Sequence, residues 1–219
     1  NPDATPGNSD VLKFKAGVLP ADITLGRSNN DLILKINGTT DQVTVQGYFS
    51  LDGADPRGTA VDFIRFDNGT SWGIEQVKAA LLVGGDGADV INGYASDDSL
   101  NGGAGNDLIN GLIGNDTLNG GLGDDVMIGG LGDDTYVVDA ATDVVTELLN
   151  EGIDTIQTSA ALILGANVEN LKLTGTALSG TVMPSCRSAT TSWTLTNSPG
   201  HSARLAFGKV AFSCAVPED

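Results

Sequence analysis

Six nine-residue blocks follow one another without a gap from Gly84 to Val137, and this period constrains the fold more than any other feature of the chain. The blocks read GGDGADVIN, GYASDDSLN, GGAGNDLIN, GLIGNDTLN, GGLGDDVMI and GGLGDDTYV. Their sixth position is always aspartate: Asp89, Asp98, Asp107, Asp116, Asp125 and Asp134. Position eight is always apolar (Ile91, Leu100, Ile109, Leu118, Met127, Tyr136) with neighbours that tolerate polarity, the mark of a very short strand with one inward side chain. Glycine at positions one, two and four lets the loop take positive φ without the strain a Cβ would impose, so the loops turn their carbonyls inward. One nonapeptide cannot bury its single apolar side chain, so stacked blocks must supply the core. With two blocks per coil the run makes three coils, and at about 4.8 Å between stacked strands the array is only about 15 Å long.

A core this thin needs further support, and the aspartates need a counter-charge. Two carboxylates facing each other at about 4 to 5 Å repel by roughly 3 to 4 kcal/mol at an effective dielectric near 20. Carboxylates and backbone carbonyls, without thiolate or imidazole, are the ligands of a hard and geometrically tolerant cation. That favours Ca²⁺ over Zn²⁺ or copper, and over Mg²⁺, which keeps its waters. The competing role for these aspartates is turn capping; six in register favour ligation. The position-nine asparagines Asn92, Asn101, Asn110 and Asn119 are expected to stack as an amide ladder between coils rather than to ligate.

The blocks resemble the G-G-x-G-x-D-x-U-x nonapeptides of RTX proteins, the haemolysin-type calcium-binding repeats. The resemblance implies a right-handed parallel β-roll in which consecutive loops fall on opposite sides and each Ca²⁺ lies between block n and block n+2. It also implies a ligand set, carried over position by position. One site would take Gly85, Gly87 and Asp89 with Gly102, Ala104 and Asp107. The next on that side would take Gly103, Gly105 and Asp107 with Gly120, Leu122 and Asp125. On the other side Leu112, Gly114 and Asp116 would face Gly129, Leu131 and Asp134, with leucine replacing glycine at position two. Tyr94, Ser96 and Asp98 facing Gly111, Ile113 and Asp116 depart further from the pattern, and Gly121, Gly123 and Asp125 with Val138, Ala140 and Asp143 would form a distorted fifth site. The implied total is three to five Ca²⁺ ions. The files Asp89, Asp107, Asp125 and Asp98, Asp116, Asp134 should then hold calcium unequally, because only the second passes through the eroded loop GYASDD.

Around the repeats the chain divides into a disordered lead (1–10), a β-rich capping domain (11–83), the roll (84–137), degenerate roll coils (138–181) and an atypical tail (182–219). In the second segment ADITL, DLILKING, DQVTVQGYF and VDFIRFDNGTSW alternate as four or five strands between Asn, Asp and Gly turns. Ser71 is expected to cap a short helix running through Ala80, before Leu81-Leu82-Val83 enters the roll as its first strand. Through NDLILKINGT, VTVQGYF and FDNGTSW this segment resembles the haemolysin-type calcium-binding-related domain found beside RTX arrays. Its expected task is to protect the open edge of the roll, with a ligand-binding surface as the alternative. In the degenerate coils, Asp139, Asp143, Glu147, Glu151 and Asp154 are expected to form a solvated acidic face, with another ion as the alternative. The tail holds both cysteines and His201, and its break in pattern after Gly180 is read as a frame change or fusion scar in loosely packed sequence, with a native secretion segment as the rival that fits the cysteines poorly. The expected architecture is therefore all-β: a right-handed parallel β-roll preceded by a small β-rich cap with one short helix.

The net charge of −17 argues against nucleic acid or anionic membrane as a partner, since phosphate contacts need basic clusters. No apolar run reaches the roughly 18 residues of a membrane span. No H-E-x-x-H or G-x-S-x-G occurs, so the chain itself is expected to be non-catalytic. The resemblance implies a calcium-binding module of a larger secreted bacterial protein, exported unfolded through type I secretion machinery and folding outside the cell on calcium. The alternatives are the non-catalytic part of an RTX lipase, protease or polysaccharide epimerase, or an adhesin module with a glycan or cell-surface ligand.

Overall fold

The computed structural model of the protein describes residues 9–50, 61–160, 166–174 and 195–196. The chain forms two compact units divided between Val83 and Gly84.

The first unit carries two small sheets. Strands β1 (Val11–Lys13), β2 (Ile23–Ser28), β3 (Asp31–Ile36), β4 (Gln42–Val45), β5 (Phe63–Arg65) and β6 (Ser71–Trp72) precede helix α1 (Ile74–Leu81). Strands β2, β3 and β4 form an antiparallel meander, whose first turn is tight because Asn29 takes φ 53°. In the other sheet β1 runs parallel to β5, and β5 forms a hairpin with β6. Alternation along β3 turns Leu32 and Leu34 fully inward, and they share the core with Ile23, Ile64 and Val77. Phe14 stacks on Phe66 at 5.3 Å, and Phe66 meets Trp72 edge-on at 4.5 Å.

Three local expectations change here. Ser71 lies in β6, and the helix is capped instead at Gly73, whose N–H donates to Gln76 Oε1 at 2.9 Å. Leu81 ends the helix rather than opening a roll strand. Asp10 is tied down, because its carbonyl accepts from the N–H groups of Asp62 and Phe63, whereas residues 1–8 of the expected disordered lead lie outside the described residues.

The second unit is a parallel β-roll. Its strands are β7 (Val90–Asn92), β8 (Ser99–Ala104), β9 (Leu108–Ile113), β10 (Thr117–Leu122), β11 (Val126–Leu131), β12 (Thr135–Val138), β13 (Val144–Thr146), β14 (Thr155–Thr158), β15 (Asn170–Leu173) and β16 (Leu195–Thr196). From β7 to β14 successive strands alternate between two sheets, ordered β16-β15-β14-β12-β10-β8 and β13-β11-β9-β7, and β15 and β16 then join β14 in the first. Neighbours within a sheet are parallel and, through the repeats, step by eighteen residues, as in Leu100↔Leu118↔Tyr136 and Ile91↔Ile109↔Met127. The position-eight side chains fill the interior, all less than 5% exposed. The full strands span positions seven to nine and then one to three, so position one also faces inward, and there every block has glycine. Beyond the repeats the step lengthens to twenty residues at Tyr136↔Ile156 and shortens to fifteen at Ile156↔Leu171. Of the tail, only Leu195–Thr196 falls within the described residues, paired beside β15; the calls on Cys186, Cys214 and His201 lie outside them.

Candidate metal centre

The aspartates stitch the coils together. The N–H of each donates to Oδ1 of the aspartate one coil on: Asp89 to Asp107 (2.8 Å), Asp98 to Asp116 (2.8 Å), Asp107 to Asp125 (2.9 Å), Asp116 to Asp134 (2.7 Å) and Asp125 to Asp143 (3.1 Å). The second file continues past the repeats, from Asp134 to Asp154 at 2.9 Å and from the Asp154 N–H to Glu169 Oε2 at 2.9 Å. A second seam runs the other way at position five, where the N–H groups of Asn115, Asp124 and Asp133 donate to side-chain oxygens of Asp97, Asn106 and Asn115. The inter-coil side-chain ladder thus lies at positions five and six. The position-nine asparagines merely oppose one another in register.

From Asp107 and Asp116 onward, one oxygen of each position-six carboxylate is spent on this seam, and what becomes of the other decides the chemistry. Asp107, Asp116, Asp125 and Asp134 are at most 2% exposed, and the Oδ2 of each is buried without a partner. A buried anionic oxygen left unpaired is costly, so these four positions are built for a counter-ion. Burial pushes the carboxyls of Asp116 up to about 6 and Asp134 up to about 7; the inter-coil N–H bonds pull the other way, and neighbouring aspartates add to the rise. Asp125 is raised for the same first reason.

The position-one glycines make room for these oxygens. A Cβ at Gly102 would run into both the Asp107 carboxylate and the Gly120 carbonyl, and one at Gly111 would meet the Asp116 carboxylate and the Gly129 carbonyl. Asp107 with Gly120 and Asp116 with Gly129 are therefore brought together as the ligand sets require. Other assigned carbonyls already accept one inter-coil N–H: Gly85 from Ala104, Leu122 from Gly105, and Leu131 from Gly114. A carbonyl retains a second lone pair for a cation.

On both edges the first coil differs from those that follow. Asp89 and Asp98 are both half-buried, and the Oδ2 of each folds back onto its own turn, accepting from Gly85 N–H (2.7 Å) and Tyr94 N–H (2.6 Å). Positions two and four take positive φ in the four later loops (Gly103 and Gly105, Leu112 and Gly114, Gly121 and Gly123, Gly130 and Gly132) but in neither loop of the first coil. Leu112 is the one non-glycine among them, at φ 82°. At the distorted fifth set, Asp143 has both oxygens engaged, by Asp125 N–H and by Ala140 N–H at 3.2 Å.

The solvated acidic face does not form as expected. Asp139 is exposed and Glu151 half-buried, but Asp143, Glu147 and Asp154 are buried. Glu147 and Asp154 join Asp134 in a cluster whose carboxylate oxygens lie within 4.8 Å of one another. Continuing the nine-residue count from Asp143 puts Glu147 at position one, the inward position held by glycine elsewhere. A two-residue insertion then delays the next position six to Asp154, which hid it from a strict count.

Two family models match the chain. The haemolysin-type calcium binding protein related domain matches residues 31–76, and the RTX calcium-binding nonapeptide repeat, a model of four copies, matches 81–109 and 102–136. The iron-regulated protein FrpA of Neisseria meningitidis serogroup C is 38% identical over 96 residues, covering 44% of this chain and 8% of that protein. The chain therefore spans a small part of that relative's length. No solved structure matches the chain. Stacked aspartate loops, glycines where a Cβ would strike a carboxylate, and these two matches together make residues 81–136 an array of RTX calcium-binding repeats, preceded by a haemolysin-type calcium-binding-related domain.

Proposed function

We propose that this chain is a non-catalytic, calcium-switched folding module of a secreted bacterial protein. The observation that carries this reading is the set of buried Oδ2 atoms on Asp107, Asp116, Asp125 and Asp134 that have no protein partner. The roll supplies no cation of its own across this stretch: from Gly84 to Ala160 there are fifteen acidic residues and no lysine or arginine. Calcium, when bound, supplies the positive charge that lets these carboxylates stay ionised while buried. The backbone carbonyls of positions one to four and the carboxylates of position six would hold it, with Asp107 and Asp125 serving the coils on either side. Metal affinity then adds to folding free energy, because the unfolded chain has no preformed site.

Such a switch suits export in an unfolded state from a low-calcium cytoplasm and folding outside, where sites with dissociation constants of about 10⁻⁴ to 10⁻³ M suffice. We place the chain in the extracellular part of a type I secreted parent on this ground. Circular dichroism during a Ca²⁺ titration, with Mg²⁺ as control, tests the switch. The β signal of the roll should grow with Ca²⁺ and not with Mg²⁺. A signal already complete in chelator and unmoved by calcium would defeat the proposal.

A further inference from the structure

We propose that Asp134, Glu147 and Asp154 form an additional divalent-cation site, outside the nonapeptide repeats, at the junction between the regular roll and its degenerate coils. The inference rests on the calcium-binding reading of the roll. It differs in using an inward glutamate that no nonapeptide loop supplies.

The site arises from one departure at each of two positions. Register along β11 and β13 pairs Val126 with Val144 and Ile128 with Thr146, so the next residues, Gly129 and Glu147, occupy the same inward position. A Cβ at Gly129 would run into the Asp134 carboxylate and the Tyr136 hydroxyl. One coil on, a side chain is present at this place, and its carboxylate reaches inward among those same groups. Tyr136 is the second departure, an aromatic where the other five blocks have an aliphatic residue, and its hydroxyl donates to Glu147 Oε1. Despite the two-residue insertion before it, Asp154 stays in the aspartate file, where its Oδ1 accepts from Asp134 N–H.

Three observations beyond acidity point to a ligand. Asp134 is 1% exposed, Glu147 6% and Asp154 1%. Each has one carboxylate oxygen buried without a hydrogen-bond partner: Asp134 Oδ2, Glu147 Oε2 and Asp154 Oδ2. One ligand oxygen from each lies within 4.8 Å of the others. The remaining oxygens are fixed by donors of the protein, from Tyr136, from Asp134 N–H and, for Asp134 itself, from Asp116 N–H. The three carboxylates thus meet with one oxygen each left open, while the bonds to their other oxygens orient them, which is how outer-shell bonds prepare a metal site. Three hard anionic oxygens with no sulfur or imidazole select a calcium-class cation.

Ion stoichiometry by native mass spectrometry, together with Tb³⁺ luminescence excited through tyrosine, tests the site on the full chain. Glu147→Gln preserves shape and removes charge; Glu147→Gly restores the residue that the repeats use at this position and keeps the test valid if the glutamine variant folds poorly. Both should bind one ion fewer per chain than the parent while retaining the calcium-induced β signal. Affinity at this site should fall by at least the roughly 10- to 100-fold that loss of an outer-shell partner alone can cost. Tyr136→Phe should remove most tyrosine-sensitised Tb³⁺ emission from this site. Unchanged ion count and affinity in both Glu147 variants would overturn the inference and leave the repeat sites standing, whereas no calcium binding by the parent chain would overturn the proposed function as well.

Discussion

Leu112 sits at φ 82°, a conformation that the equivalent residues Gly103, Gly121 and Gly130 adopt without a Cβ. Its side chain is 39% exposed, so little burial would be lost by removing it. Leu112→Gly should therefore raise the stability of the calcium-loaded protein by about 1 kcal/mol, the usual cost of a left-handed non-glycine residue less the entropy of glycine, read as a higher denaturant midpoint. Gly102→Ala should act the other way, since its methyl would strike the Asp107 carboxylate and the Gly120 carbonyl. A loss of about 1 to 3 kcal/mol is expected from overpacking, with weaker calcium binding in the same titration. At this scale glycine positions one, two and four were legible in the sequence. The reason for position one was not: it is an inward site that faces a carboxylate, not a turn residue needing positive φ.

The aspartate file behaves as one electrostatic element. Burial raises Asp116 and Asp154 to about 6, Asp134 to about 7 and Glu147 to about 8. Unfolded carboxylates titrate near about 4, so in the metal-free protein the native state binds more protons than the unfolded state between those values. Stability must then fall as pH rises from about 4 toward about 8. In chelator, the urea midpoint of the roll should be higher at pH 5 than at pH 8; a flat profile or one rising toward pH 8 would contradict the burial of these groups. With calcium the dependence reverses, because the ion requires ionised ligands and loses affinity on acidification. Counting by nine, with the alternation of loops that the resemblance implies, gave the two files, but not the continuation of the second through Asp154, because a two-residue insertion breaks the count while the hydrogen-bond seam runs on.

Across the whole molecule, the two units differ in what holds them. The first owns an apolar core around Leu32, Leu34, Ile64 and Val77, while the second depends on single-file apolar residues between columns of buried carboxylates. Hydrogen exchange in chelator should find protected amides in β2, β3 and α1 and fast exchange through β8 to β12; added calcium should slow the second set alone. Equal protection of both units in chelator would contradict this division. The sequence by itself determined the repeat and the choice of a hard cation, because these follow from a local period and from ligand chemistry, and its resemblance to the RTX nonapeptides implied the parallel roll and the two aspartate files. Only the tertiary structure decided which carboxylate oxygens are left without partners and that the first coil differs from the rest. It alone gathered Asp134, Glu147 and Asp154 inside the roll. Those outcomes depend on which side chain meets which across a coil, and stacking sets that distance in space after insertions have erased it from the count of residues.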